Sequence, residues 1–452
     1  MSALIRRPAM RFYETITKRR MLTRLDELNQ SQWLTPTEIA KNQRKKLYQL
    51  LEYTAQYVPY YQRLFAKTGF EPESILTDFS ALGQLPLLTK AIIRENFDDL
   101  ITTDPDKRAQ VSRVSTSGST GQPLTFMIDH DFRDYFTADL HRHLSWGGWQ
   151  LGQPHAYMGG ASADSAASAS LRSRLMSWVF NRFNLNAYTL SDEMMQDFLE
   201  QVQRRKPRLI YGYASTLYHF AQFVQQQKVQ IKLDSLFSSA EVLYPYQRQL
   251  LEETFQAKVF DRYATRELGE LASQCEHQTG LHISPECVYI EVLNESGVPT
   301  QPGEAGQIVV TNLNNYGMPF IRYQLSDQVA WHSGDDCPCG RKLPRLSMIA
   351  GRDNDMFKTR DGRLIWGGLG NPLWDDPHVH QFQMIQKDYD FVLVRLVSSE
   401  NIAPKTETDV IKAIQNALGP QVTIKFEFPD TIPPESSGKY RYQICEITEE
   451  TG

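Results

Sequence analysis

The 452-residue sequence predicts a mixed α/β fold: a large multilayer domain over residues 1–350 and a small α+β domain over 351–452. Two observations predict it. Apolar runs such as "RLIYGY", "KVFDRY", "VYIEVLN" and "QIVVTNL" read as strands, and helical stretches near 191–204 and 215–228 separate some of them, an alternation that favours a layered core. After about residue 350 the chain turns polar in "AGRDNDMFKTRDGRLI". It then offers a strand "FVLVRLV", a helix from near Lys405, a strand "VTIKFEF" and a terminal loop "PPESSGKYR", enough for a second domain joined by a hinge.

The elements follow in order. The N-terminal stretch "LIRRPAMRFYETITKRRMLTRL" interleaves Arg6, Arg7, Arg11, Lys18, Arg19, Arg20 and Arg24 with apolar residues. It suits an anionic membrane surface or a solvated helix packed on the domain; the packed helix is the expectation, with Pro8 interrupting it. Thr35-Pro36-Thr37-Glu38 supplies a cap, a proline at the first helical position and a capping-box glutamate, so a helix starts there and buries Leu47, Leu50 and Leu51. "NESGVPTQPGEAGQ" joins two strands as a hairpin connection.

Composition narrows the function classes. Hydrophobic residues make up 41% and charged residues 22%, ordinary for a soluble globular protein. No apolar run approaches the ~18 residues that span a bilayer, and no signal-peptide pattern follows the start, so a cytoplasmic protein without a transmembrane segment is expected. The net charge of -5 gives no electrostatic reason for a nucleic-acid partner.

Four polar islands carry chemistry. "RVSTSGSTGQPLTF" (113–126) gathers hydroxyls and two glycines, so that backbone N–H groups can converge on an anion; it also suits a flexible linker, and it lacks the lysine of a P-loop. "YATRE" (263–267) follows a strand and places Glu267 where a carboxylate can hold Mg²⁺, or simply face solvent. Asp327, after the strand in "PFIRYQLSDQV", suits either ribose hydroxyls or a turn. Lys439 stands among small residues near the C-terminus, as if a positive charge had to be delivered somewhere.

The five cysteines of a cytoplasmic chain do not suggest a disulfide framework. Cys337 and Cys339 form a C-x-C beside Gly340, and Cys275 lies in "CEHQTGLHI" with His277 and His282 close behind. Three thiolates and one imidazole make a closed structural Zn²⁺ site; unpaired core cysteines are the alternative. Cys287 and Cys445, in apolar contexts, are read as core.

In order along the chain, "STSGSTGQP", "SSAEVL", "YATRE", "IRYQLSD", "GRDNDM" and "SGKYR" resemble the motifs of the adenylate-forming (acyl-CoA synthetase) superfamily. "LLEYTAQYVPYYQRLF", "CEHQTGLHI", "CPCGRKLPRLSMIAGR" and "VHQFQMIQ" resemble its phenylacetate-CoA ligase-like branch, including the CapK group linked to polysaccharide biosynthesis. The similarity runs from about residue 40 to the C-terminus.

This resemblance implies an adenylation domain over 1–350 that binds ATP and the acid, and a mobile C-terminal domain over 351–452 that carries the catalytic lysine. It implies that Ser117, Gly118, Ser119, Thr120 and Gly121 grip the ATP β- and γ-phosphates, that Ser239, Ala240 and Glu241 line the adenine pocket, and that Tyr263 stacks on or flanks the base beside Thr265. It further implies that Glu267 coordinates Mg²⁺, that Asp327 and Arg352 hold the ribose, that Asn354 or its neighbour Asp353 or Asp355 is the hinge, and that Lys439 bridges the attacking carboxylate and the α-phosphate. Some members carry zinc at the matching cysteines, with His282, within "GLHI", as the fourth ligand. Departures from the superfamily pattern are Leu124-Thr125 where Lys-Gly is common, Ala264 for Gly and Asn354 for Asp.

The implied activity is conversion of a carboxylic acid to an acyl-AMP with ATP and Mg²⁺, then transfer to CoA. A second acceptor class is an amine, a sugar or a carrier protein, and a third reading is a catalytically silent nucleotide-binding scaffold. Dimers are common in the branch, so a homodimer is open. The acid pocket is expected between the phosphate loop, "YMGGASADSAASAS" and the tyrosines of "YGYASTLYHF", Tyr211, Tyr213 and Tyr218, which also suit core packing; His141, His143 and His155 receive no role.

Overall fold

The computed structural model describes the chain apart from residues 1–2, 117–122, 160–176, 186–190, 353–356, 362–363, 366–368, 375, 377, 399–401, 434–440 and 448–452. The chain divides into two compact units, 1–325 with 329–349, and 326–328 with 350–452.

The first unit is built on parallel strands. β1 (Ser112–Ser115) and β2 (Thr125–Ile128) pair as an antiparallel hairpin. β3 (His155–Met158), β4 (Arg182–Leu185), β5 (Leu209–Tyr213), β6 (Ser235–Ser239) and β7 (Lys258–Thr265) lie side by side in the order β4-β3-β5-β6-β7, all parallel. The helices Asp192–Arg205, Ala214–Gln226 and Pro245–Phe255 cross between them. Their apolar faces, with Phe198, Phe220 and Phe255, pack on Ile210, Leu236 and Val259 of the strands. At the end of β5 a Cβ on Gly212 would stand 2.0 Å from the Met158 carbonyl, so only glycine lets β3 and β5 run this close.

Beyond β7 the direction alternates. β8 (Gly269–Gln274) and β9 (Leu281–Ile283) add as antiparallel strands, and β10 (Val288–Leu293), β11 (Ala305–Asn312), β12 (Tyr323–Trp331) and β13 (Arg345–Arg352) complete eleven strands in the order β10-β11-β12-β13-β9-β8-β7-β6-β5-β3-β4. β10 and β11 form the hairpin expected around the Gly/Pro-rich turn. The helix Pro36–Tyr57 starts at the reciprocal Thr35/Glu38 capping box and buries Leu47, Leu50 and Leu51.

The N-terminal expectation needs one correction. Pro8 lies inside a continuous helix, Ala3–Thr17, and does not interrupt it. The proline falls near the helix start, where it removes one early hydrogen bond. The chain breaks instead at Lys18, in left-handed backbone at φ 55°, before the helix Met21–Ser31. Met10 and Arg6 are buried, so the helix is packed as expected.

The second unit has a small hairpin, β14 (Phe357–Lys358) with β15 (Leu364–Ile365), and a four-stranded sheet. β16 (Val379–Asp388) and β17 (Phe391–Ser398) pair antiparallel, β18 (Thr423–Glu427) joins β17 in parallel and β19 (Gln443–Cys445) joins β16 in parallel. The helix Pro404–Leu418 buries Val410, Ile414 and Leu418 at intervals of four, one helical face. No described helix is long and apolar enough to cross a membrane.

Candidate nucleotide site and metal centre

The sequence-predicted nucleotide residues of the first unit gather at the carboxyl ends of two neighbouring parallel strands. Ser239 ends β6, Ala240 and Glu241 follow it, Tyr263 and Thr265 close β7, and Glu267 stands two residues beyond. Ligands of open α/β sheets bind at such ends. Ser239, Tyr263 and Glu267 are buried.

Ala240 has left-handed backbone, φ 70°, which costs a residue with a Cβ about 1 kcal/mol and turns the chain sharply off β6. The turn brings the Glu241 carboxylate to the start of the helix Ala214–Gln226. It accepts the Ser215 N–H at 2.8 Å and the Ser215 hydroxyl at 3.0 Å. Glu241 thereby caps a helix whose own Tyr213 offers no cap, and its charge suits the positive helix end. Glu241→Ala is expected to lower stability by about 1–2 kcal/mol, read from the midpoint of urea unfolding.

Arg266 links this end of β7 to the Ser/Thr/Gly loop. Its guanidinium donates to the Ser115 carbonyl at 3.2 Å, at the top of the β1–β2 hairpin. There Thr116 N–H donates to Leu124 O and Leu124 N–H to the Thr116 hydroxyl, both at 2.9 Å. The hairpin base is therefore fixed beside Glu267, while Ser117, Gly118, Ser119, Thr120 and Gly121 themselves lie outside the described residues. So do Asn354, Lys439 and the whole small-residue segment 160–170. Asp327 lies within β12, in the stretch that groups with the second unit, and Arg352 ends β13. β19 begins four residues after Lys439.

A buried ionic network braces β7 and β8 from beneath. Arg262 pairs with Glu270; Glu270 meets His143 Nδ1 at 3.3 Å; Asp139 is 2.7 Å from Arg142, which also reaches Glu286 at 3.0 Å and the Ser284 hydroxyl at 3.0 Å. Burial pushes the Glu270 carboxyl up, but Arg262 and His143 outweigh it and hold it below its ordinary range. From the sequence, His143 has no assigned role. Its only local signal is the one-face spacing of Asp139, Arg142 and His143 on the helix His130–Trp146, which does not name partners on β8.

The other unassigned histidines are core groups. His141 stacks between Trp149 and Phe180 and His155 packs on Trp149 and Tyr211, and burial pushes both down to about 3, so both are neutral near pH 7. Tyr211 is buried among Phe237, Phe260 and Leu209. Tyr218 packs edge-on against Tyr246.

The cysteine expectation meets clear geometry. Cys275, His282, Cys337 and Cys339 offer four ligand atoms within 4.8 Å of one another, and His282 rather than His277 stands in the cluster. Cys275 follows β8, His282 is in β9, and β13 pairs with β9, so the loop ahead of β13 brings Cys337 and Cys339 to the same place. That loop turns on Gly340, whose N–H donates to Cys337 O at 3.1 Å with φ 84°, a left-handed position suited to glycine.

Cys275 Sγ lies 3.5 Å from Cys337 Sγ, and Cys339 Sγ lies 3.4 Å from His282 Nε2. Tetrahedral zinc needs sulfur–sulfur separations of about 3.8 Å and sulfur–nitrogen separations of about 3.5 Å, so the donor set fits. His282 Nδ1 is 3.3 Å from the Leu343 carbonyl; donating there leaves Nε2 as the free lone pair. Burial pushes His282 down to about 4, so its imidazole is neutral, and burial pushes Cys275 up to about 12, a thiol that a bound cation would have to deprotonate.

Comparison with known proteins shows what the chain is similar to. Residues 357–446 match the CapK C-terminal domain. The chain is 23% identical to Protein CapK of Staphylococcus aureus over 424 residues, 90% of this chain and 89% of that protein. It is 25% identical to a phenylacetate-coenzyme A ligase of Thermus thermophilus over 333 residues, 70% of this chain and 71% of that one. Among solved structures, 2-hydroxyisobutyryl-CoA ligase in its postadenylation state superimposes with a TM-score of 0.74 at 22% identity, covering 92% of this chain and 91% of that one, which establishes the fold.

Fold and sequence similarity together mark an acid–CoA ligase-like, adenylate-forming enzyme. In sequence the chain is similar, at 22–25% identity, to CapK and to phenylacetate-coenzyme A ligases.

Proposed function

We propose that this protein activates a carboxylic acid as its acyl-AMP, using ATP and Mg²⁺, and transfers the acyl group to CoA as a thioester. The observation that carries the reading is the convergence of Ser239, Ala240, Glu241, Tyr263, Thr265 and Glu267 at the ends of β6 and β7, tied through Arg266 to the base of the Ser/Thr/Gly loop. Relatives that are phenylacetate-CoA ligases support the acceptor.

In this reading the loop Ser117–Gly121 cradles the β- and γ-phosphates, Tyr263 and the Ser239–Glu241 backbone receive the adenine, and Asp327 and Arg352 take the ribose. Glu267 holds Mg²⁺, which offsets the repulsion between an attacking carboxylate and a triphosphate. Lys439 supplies a second positive charge where negative charge builds at the α-phosphorus. Asn354 serves as the hinge that lets Lys439 be brought in and withdrawn. The match of 357–446 to the CapK C-terminal domain favours a second reading, the same adenylation with an amine, sugar or carrier as acceptor.

Acid-dependent ATP–pyrophosphate exchange across aromatic, fatty and amino acids tests the first half-reaction. AMP release that rises with CoA selects the thioester; exchange without any CoA effect selects the other acceptors. Lys439→Ala is expected to lower exchange about 10²–10³-fold, and a variant with full activity would remove Lys439 from the mechanism.

A further inference from the structure

The N-terminal helix Ala3–Thr17 is held to the protein by one face and leaves a different chemistry on the other. Met10 and Arg6 point inward, Arg6 donating to the Trp178 and Val179 carbonyls. Glu14 also turns back to the protein, accepting the Leu22 N–H at 2.6 Å. Outward, Pro8, Phe12 and Ile16 recur at intervals of four and form one apolar stripe, with Phe12 69% and Ile16 66% exposed. Trp178, the residue whose carbonyl Arg6 grips, is also half exposed.

Basic groups flank the stripe. Arg7 and Arg11 lie along one side of it on the helix, and Lys18 and Arg20 are exposed just beyond its end. Asp26 is the acid that faces the two arginines, 2.6 Å from Arg7 and 3.7 Å from Arg11. These pairs are solvent-exposed and of the kind worth under about 1 kcal/mol, so the guanidiniums can exchange Asp26 for another anion. Arg19 is committed inward, 2.6 Å from buried Asp134. The exposed face thus carries Arg7, Arg11, Lys18 and Arg20 against Asp26, on a chain whose net charge is -5.

Helices that present a short stripe of Phe, Ile or Trp with Lys and Arg beside it lie in the plane of a bilayer surface, apolar side chains among the acyl chains and cations among the phosphates. We propose that the outer face of the helix Ala3–Thr17 docks this protein on the surface of an anionic lipid membrane. The helix lies on the bilayer and does not cross it. A polyanion in solution has no use for Phe12 and Ile16, and a purely apolar partner has no use for the local excess of positive charge in a net acidic protein; a bilayer with acidic headgroups uses both.

The test is co-sedimentation of the full chain with phosphatidylcholine vesicles and with vesicles containing about 30% phosphatidylglycerol at about 0.1 M salt. Binding to the anionic vesicles alone, weakened by raised salt, is expected. Arg7→Gln with Arg11→Gln should lower the partition coefficient roughly thirtyfold, at about 1 kcal/mol per cation. Phe12→Ser with Ile16→Ser should lower it about tenfold or more, and neither pair should alter the circular dichroism of the protein, since the substituted side chains are exposed. Equal binding to both vesicles, or no binding to either, overturns the proposal. So does sedimentation equilibrium without vesicles showing a dimer that Phe12→Ser with Ile16→Ser abolishes, because the stripe is then covered by a second copy.

Discussion

Glu267→Gln is expected to lower acid-dependent ATP–pyrophosphate exchange about 10²–10³-fold while leaving the melting midpoint nearly unchanged. The substitution keeps the side chain's volume and removes its charge, so the buried position at the end of β7 is still filled. What is lost is a hard anionic oxygen for Mg²⁺. Without the cation, the acid and the triphosphate repel each other in a site from which water is partly excluded, where charge is poorly screened. Glu267→Asp, which retains the charge on a shorter arm, should recover part of the rate as Mg²⁺ is raised. Exchange within about threefold of the parent for Glu267→Gln would take the residue out of the reaction.

The second large effect concerns the cysteine cluster. The purified protein is expected to hold about one zinc per chain, and Cys337→Ser to lose it with a fall in melting midpoint of roughly 5–15 °C. The four donors come from the residue after β8, from β9 and from the loop ahead of β13, so an ion there would tie segments that are 62 residues apart between Cys275 and Cys337. Without the ion the remaining sulfurs beside Ile39, Trp146 and Leu343 lose their common tie and take up protons, so the folding energy that metal binding supplied is lost. Cys287→Ser, at a buried cysteine outside the cluster, is the control and should keep its zinc. A protein that purifies without metal, with a midpoint unmoved by added zinc or by a chelator, would show the cluster to be packed thiols.

The network of Arg262, Glu270, His143, Asp139 and Arg142 ties β7 to β8 and to the helix His130–Trp146 beneath the proposed nucleotide end of β7. Each charge has a partner within the fold, and a buried pair broken on one side costs more than the pair contributes. The same strands lead to the cysteine cluster through β8 and β9, so the two sites share a scaffold.

Much of this was legible in the chain itself. The capping box at Thr35 and Glu38, the turn between β10 and β11 and the period-four apolar face of Pro404–Leu418 are local signals, set by groups a few residues apart. Motif order likewise carried the resemblance to adenylate-forming ligases, because each motif is a short run that is read without its partners. The structure corrected a local inference at Pro8, where an early proline removes one hydrogen bond and the helix continues to Thr17.

The sequence by itself determined which residue types are the candidates for chemistry: the hydroxyl-rich loop, Glu267 beyond a strand end, and three cysteines with two candidate histidines. Only the tertiary structure decided partners. It set His282, the histidine the resemblance implies, beside the three cysteines by laying β13 against β9, committed Glu241 to Ser215 across 26 residues, and joined Arg266 to Ser115 across 151. Such pairings depend on the order of strands in the sheet, which follows from burying apolar faces along the whole chain; no neighbour in sequence records it.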